Sequence, residues 1–431
     1  MSQLAIFGGA PIRNKPFPCW PVFDRAEEDA LLEVLHSGKW WKYAYPDGDA
    51  PGPAGSKVVE FQQTFARMQG AKFGIACANG TAALEVLLKA LGVGPGDEVV
   101  VPAYTFVATA TAVLMVNAVP IFADINPDTF NLDPASVERA FSARTRAIIP
   151  VHFAGQAADM DAILQIAQPR KLAVIEDAAH GHGGAWKGRG LGSIGDGGTF
   201  SFQASKNMTS GEGGLIITSD ERCAALCESY TSLGRKSQAP WYVHYRLGWN
   251  YRMTEFQGAI LLQQLKRLEA QNSRRRANAA YLTAQLAQIP GIRTLRVPEY
   301  ATRHSYHLYM FCLKERELGV SRADFLAALE KEGIPCSGGY AHPLYQNPLF
   351  LNRDFHAHDW PRDCGHDDGS VDYSAFQALC PNAERACREA VWFEHRLLLA
   401  GKEDMDDIVR AVSKIYESRH ELARDTAPLG G

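Results

Sequence analysis

From residue 72 onward, short apolar β-branched runs alternate with stretches whose apolar positions recur every three to four residues. KFGIACA (72–78) reads as a strand, and GTAALEVLLKAL directly after it reads as a helix. DEVVVP (97–102) is a strand, and FVATATAVLMVN (106–117) is read as a helix because it lies between two clear strands. Further strands fall at VPIFAD (119–124), RAIIPVH (146–152), LAVIED (172–177), GTFSF (198–202) and GLIITS (214–219), which makes seven. Helical patterns separate most of them, as at 134–141 and 159–167. This alternation predicts an α/β fold: a seven-stranded, mostly parallel sheet with helices on both faces.

After Met253 the pattern changes. Residues 254–286 form one long helical stretch, continuous or broken once, and the rest mixes strands (HLYMFCL) with helices (SRADFLAALEKEG). The expected division is a large domain over 1–255, N-terminal segment included, and a long linking helix with a smaller α+β domain over 256–431. Two Gly/Pro-rich segments, 43–56 and 356–370, read either as lids over a site or as disordered loops.

Composition narrows the function classes. The 431 residues are 46% hydrophobic and 21% charged, with a formal net charge of −4, which gives no electrostatic case for nucleic acid or an anionic membrane. The one basic cluster, NSRRRANAA (272–280), reads as a solvated helix face. No apolar run is long enough for a bilayer, and the N-terminus lacks the pattern of a secretory signal. Nine scattered cysteines, without a C-x-x-C pair, read as reduced thiols of a cytoplasmic protein.

Candidate chemistry sits at the strand ends. GLGSIG (190–195) matches G-x-G-x-x-G, but a strand follows it and no helix begins there, so it reads as a glycine turn rather than a dinucleotide site. In ANGTAALEVL a strand ends and Asn79, Gly80 and Thr81 open an apolar helix. Free N–H groups and the helix dipole make this end an anion site, although simple capping by Asn79 or Thr81 explains the same residues. Asp177 stands at the carboxyl end of a parallel strand, where open α/β sheets bind ligands. His180 and His182 have weak ligand spacing, and no metal is expected. Lys206 follows the strand 198–202 in FSFQASKNMTSGEGG; burial there would lower its pKa and make it a nucleophile. A phosphate cradle, a strand-end carboxylate and a lysine on a later strand are the parts a pyridoxal 5′-phosphate site needs.

Five motifs in order, NGTAALEVLLKALGVGPGDEVVVPAYTFVATA, PVHFAGQAADMDAI, VIEDAAHGHGG, FSFQASKNMTSGEGG and LGWNYRMTEFQGA, resemble the DegT-type (DegT/StrS) sugar and cyclitol aminotransferases, of the aspartate aminotransferase-like type I pyridoxal phosphate fold. The resemblance runs from about Phe17 to Val412. It implies that Lys206 carries the Schiff base, that Asp177 pairs with the pyridine nitrogen, and that Phe106 stacks on the ring. It further implies that Gly80, Thr81 and Ser201 hold the phosphate, that His180 stands near the phenolic oxygen, and that Asn250 reaches the phosphate of a neighbouring subunit in a homodimer with shared sites. HSGKWWKY, FSFQ and CPNAERACREAVWFEHRLLLAG look like two sub-branches, the glutamine:scyllo-inosose aminotransferases and the 3-amino-5-hydroxybenzoate synthases. The implied reaction moves an amino group from glutamine or glutamate to a keto-sugar or keto-cyclitol; the alternative is an aromatising elimination. Trp40, Trp41, Tyr340 and His342 lie in segments that flank the substrate in relatives, although core packing explains the two tryptophans equally well.

Overall fold

The computed structural model describes residues 3–45, 55–236, 239–240, 242–355 and 371–425. Residues 46–54 of the first Gly/Pro-rich segment and the whole of the second lie outside the described residues.

Seven strands form the large sheet: β1 (Phe73–Cys77), β2 (Glu98–Pro102), β3 (Val119–Ala123), β4 (Thr145–Ile148), β5 (Ala173–Asp177), β6 (Gly197–Ser201) and β7 (Gly214–Thr218). Their order is β1-β7-β6-β5-β4-β2-β3, and β7 alone runs antiparallel to both its neighbours. Side chains alternate between faces along each strand. Val99, Val101 and Ile175 therefore pack on one side with Leu84 and Leu87 of the helix Gly80–Ala90. Val100, Ile148 and Val174 pack on the other with Phe61, Phe65 and Ile163. Both faces are covered, which is why β2 and β3 are continuously buried and read as unbroken apolar runs.

The helix 106–117 of the sequence reading is shorter, Ala108–Met115, and β4 stops at Ile148, before Pro150. The chain rejoins the sheet at Val151, which bridges to Asp177.

The long helix Glu255–Leu286 is unbroken. Thr254 and Gln257 form a capping box at its start, which satisfies two otherwise free N–H groups. Its first half places Leu261 and Leu268 in the sheet core, and its second half places Ala279, Leu282 and Leu286 in a separate core. That second core lies over a small antiparallel sheet of β8 (Ile292–Thr294), β9 (Leu308–Leu313) and β10 (Ala390–Glu394). Leu4 and Phe17 join it too, and Arg13 ties the N-terminal segment to Asp404 and Asp407 at 2.7 and 2.9 Å. The N-terminal segment thus packs with the C-terminal unit, and the same helix serves both cores.

The basic cluster is corrected by the structure. Arg274 is exposed, but Arg275 is fully buried, because the inward face of the helix passes through it. Its guanidinium donates to Asn272 Oδ1 at 2.8 Å and to His395 Nδ1 at 3.1 Å and lies over the Trp20 ring. Consecutive positions on a helix of 3.6 residues per turn are about 100° apart, and here Arg275 falls on the face turned to the core.

Candidate active site

The carboxyl ends of the parallel strands, the start of one helix and the loop after β6 converge on one site. The helix Gly80–Ala90 leaves β1 through Asn79, whose side chain accepts from Ala82 N at 2.8 Å. The capping reading of Asn79 is therefore correct, and it still leaves the N–H groups of Gly80 and Thr81 without a partner among the described residues. Ser201, at the end of β6, lies directly against this turn. A Cβ on Gly80 would stand 2.8 Å from the Ser201 Cβ, so only glycine lets the helix start approach the strand this closely. Two free N–H groups and a hydroxyl thus gather at the positive end of a helix dipole, as an anion requires.

Asp177 is buried at the end of β5. Its Oδ2 accepts from Thr109 Oγ1 at 2.8 Å and its Oδ1 from Ala179 N at 3.1 Å. Burial raises its pKa above the ordinary carboxylate value; Thr109, the Ala179 N–H and the charge of Lys206 work in the opposite direction. A second buried carboxylate backs it. Glu176 accepts from Gly192 N, Ile194 N and Gly195 N at 2.8, 2.6 and 2.7 Å, and pairs with His152 Nε2 at 2.7 Å. The glycine turn 190–195 is thus an anion cradle, and the anion it holds belongs to the protein itself. Its wrapping fixes the strand that presents Asp177.

Lys206 is half-buried, and its amine makes no hydrogen bond or ion pair among the described residues. Burial lowers its pKa from 10.5 to about 8, against the pull of Asp177. A lysine in this state offers far more neutral, nucleophilic amine near neutral pH than an ordinary lysine does.

His180 is buried, its Nδ1 has no partner, and its ring stacks on His307 at 4.1 Å between centroids. Burial, followed by the neighbouring Lys206 charge, pushes its pKa well below the usual range, so the ring is neutral. His182 is committed elsewhere: its Nε2 donates to the Ser201 carbonyl at 2.9 Å. Phe106 is 56% exposed and its ring touches no other ring among the described residues. Tyr340 is half-buried against Tyr104 and Trp392; burial raises its pKa, and the charge of Asp177 adds to that.

The other expected residues are exposed. Trp40 and Trp41 are 50% and 41% exposed, so they are not core; they pack against Phe256 and Tyr43, and the Trp40 carbonyl accepts from Glu255 N. His342 and Asn250 are exposed, and Asn250 bridges to Ser232. Sequence reasoning missed His307, His395, Arg275 and Trp20, which surround the Lys206 segment; an inward position on the long helix was the one available signal, for Arg275.

The residues present fit pyridoxal 5′-phosphate on independent grounds. A cradle that a Cβ would fill suits the phosphate, a buried carboxylate with a raised pKa suits a protonated ring nitrogen, and the His180 Nδ1 and the amine of Lys206 have no partner among the described residues.

Fold and site together define an aminotransferase of the type I fold. The chain belongs to the DegT/DnrJ/EryC1/StrS aminotransferase family, which it matches over residues 47–363. A protein of Streptoalloteichus tenebrarius, provisionally named an L-glutamine:3-amino-2,3-dideoxy-scyllo-inosose aminotransferase, is 41% identical over 96% of this chain and 98% of its own. The L-glutamine:scyllo-inosose aminotransferase of Streptomyces griseus is 38% identical over 98% of this chain and 100% of its own. Among solved structures, a 3-amino-5-hydroxybenzoic acid synthase superposes with a TM-score of 0.83 at 32% identity, covering 94% of this chain and 100% of that one.

Proposed function

We propose that the protein transfers an amino group from glutamine, or glutamate, to the keto group of a six-membered cyclitol, using pyridoxal 5′-phosphate. The observation that carries this reading is the amine of Lys206, half-buried, without a partner among the described residues, within the field of Asp177 and in the same strand-end cluster as the Gly80–Ser201 cradle. The cyclitol ring is supported by relatives whose names specify scyllo-inosose or a deoxyamino form of it, aligned along nearly the whole chain.

When bound, the cofactor supplies an aldehyde that takes up the donor's nitrogen and a ring that stabilises negative charge at the reacting carbon. The chain supplies the rest. The N–H groups of Gly80 and Thr81, with Ser201, bind the phosphate. Asp177 keeps a proton on the ring nitrogen, since a buried anion favours the cation beside it. Phe106 offers an open aromatic face to the ring. The Lys206 amine would take the proton from the donor's α-carbon, which gives up its nitrogen, and would deliver a proton to the acceptor carbon that gains it; such transfers typically contribute about 10²–10⁴-fold. His180, neutral and with a free Nδ1, can donate to a phenolate-type oxygen without adding charge.

The proposed assembly is a homodimer in which Asn250 reaches the partner's phosphate. Supporting it, Asn250 is exposed, and Leu247 and Tyr242 near it are 83% and 76% exposed, an apolar surface that a subunit contact would cover. The proposed setting is the cytoplasm. The described cysteines are all unpaired, and among the described residues no helix is long and apolar enough to cross a membrane.

A second reading, aromatising elimination from an aminoshikimate, is favoured by the likeness to the 3-amino-5-hydroxybenzoic acid synthase. A donor and acceptor screen separates the two. Amination of a keto-cyclitol at the expense of glutamine supports transfer; a new ultraviolet chromophore from aminoshikimate, with no donor consumed, supports elimination.

A further inference from the structure

The segment that carries Lys206 is gripped from outside its own sheet. The carbonyl of Ala204 accepts from Trp20 Nε1 at 2.9 Å, and that of Ser205 lies 3.0 Å from His395 Nε2. Asn207 donates through Nδ2 to the Ser305 carbonyl at 2.8 Å, while its Oδ1 lies 3.1 Å from His307 Nδ1. Residues 305–307 lead into β9 and His395 follows β10, so the grip comes from the small sheet and the N-terminal segment.

The network fixes the ring protons. Asn207 has committed its N–H to Ser305, so its oxygen must accept, and His307 must carry its proton on Nδ1. Arg275 can only donate, so His395 Nδ1 must accept and its proton lies on Nε2, pointed at Ser205. The rings form a column: His180 on His307 at 4.1 Å, His307 near His395 at 5.7 Å, and the edge of Trp20 against His395 at 4.5 Å. Burial holds all three histidines well below their usual pKa range, so the column adds no charge beside the lysine. The far side of the clamp is equally tight. Ser305 Oγ donates to the His180 carbonyl at 2.6 Å, and a Cβ on Gly155 (φ +90°) would stand 2.0 Å from that hydroxyl.

We propose that His307 and His395 are positioning residues for Lys206. Their N–H groups, delivered by the C-terminal unit to the residues on either side of the lysine, hold its amine in the sheltered setting at the strand ends and couple its placement to the docking of the two units. The inference rests on the reading of Lys206 as the amine that does the chemistry, but its test does not need catalysis.

The full chain, depleted of cofactor, is labelled competitively with acetic anhydride across a range of pH, and modification of Lys206 is followed by peptide mass spectrometry. The wild-type midpoint is expected at about 8. His307→Phe with His395→Phe keeps ring packing and removes both donors; the midpoint should move toward the ordinary 10.5, with labelling at the wild-type midpoint falling about tenfold or more. His307→Asn with His395→Gln places an amide N–H near each lost ring N–H and should restore the wild-type midpoint. An unchanged midpoint in the phenylalanine pair overturns the proposal, and so does an amide pair that behaves like the phenylalanine pair. If the phenylalanine pair does not fold, Trp20→Phe, which deletes the single donor to Ala204, is read instead: an upward shift supports the clamp and an unmoved midpoint overturns it. Amino transfer that survives Lys206→Ala would defeat the functional reading alone and leave these labelling results standing.

Discussion

At the residue scale the account depends on Asp177, Gly80 and Lys206. Asp177→Asn keeps the shape of the side chain but removes the charge that would hold the ring proton. The variant should fold normally by circular dichroism and lose on the order of 10²–10³ in kcat, the usual size of losing one electrostatic stabiliser. Gly80→Ala should force the helix start away from Ser201, because the added Cβ stands 2.8 Å from the Ser201 Cβ. Fluorescence titration should then show the Kd for pyridoxal 5′-phosphate rise about tenfold, or about 1.4 kcal/mol. These residues are legible in sequence for a physical reason. Parallel strands end where ligands bind, and a strand followed by a glycine and a helix leaves free N–H groups at that end. His307, His395 and Trp20 are not legible in the same way. They meet the segment around Lys206 through contacts that span 100, 190 and 184 residues, with nothing in their own sequence neighbourhoods to mark them.

At the scale of elements, the loop 190–195 shows how a motif can keep its chemistry and change its use. Its N–H groups do bind an anion, but the anion is Glu176 on the adjacent strand. Glu176→Gln would turn an amide N–H toward a cluster of donors and leave at least one of them unpaired. Guanidinium unfolding should report a loss of about 2–4 kcal/mol, since each stranded buried donor costs about 1–3 kcal/mol. An unchanged midpoint would mean that the loop does not depend on that carboxylate. The strands were readable because both faces of the sheet are buried, which gives continuous apolar runs between turn signals. The basic cluster was misread because composition ignores helical phase: Arg275 points inward while Arg274 next to it faces solvent.

At the scale of the whole molecule, the helix Glu255–Leu286 contributes to both cores, and the small sheet supplies the residues that grip the Lys206 segment. Site and domain packing are therefore not independent. The proposed homodimer adds a third dependence. Leu247→Asp places a charge on the 83%-exposed leucine near Asn250. Sedimentation should show a shift from twice the chain mass toward the monomer, with loss of activity in parallel; a variant that stays dimeric and active would move the subunit contact elsewhere. The central claim, that Lys206 drives amino transfer to a keto-cyclitol, is tested most directly with glutamine labelled by ¹⁵N at its α-amino group, incubated with a scyllo-inosose-type ketone and followed by mass spectrometry. The account predicts ¹⁵N in the cyclitol amine with the wild-type chain and none with Lys206→Ala. Label transfer that is undiminished in Lys206→Ala, or no transfer from glutamine or glutamate to any keto-cyclitol or keto-sugar by the cofactor-loaded wild type, would contradict it.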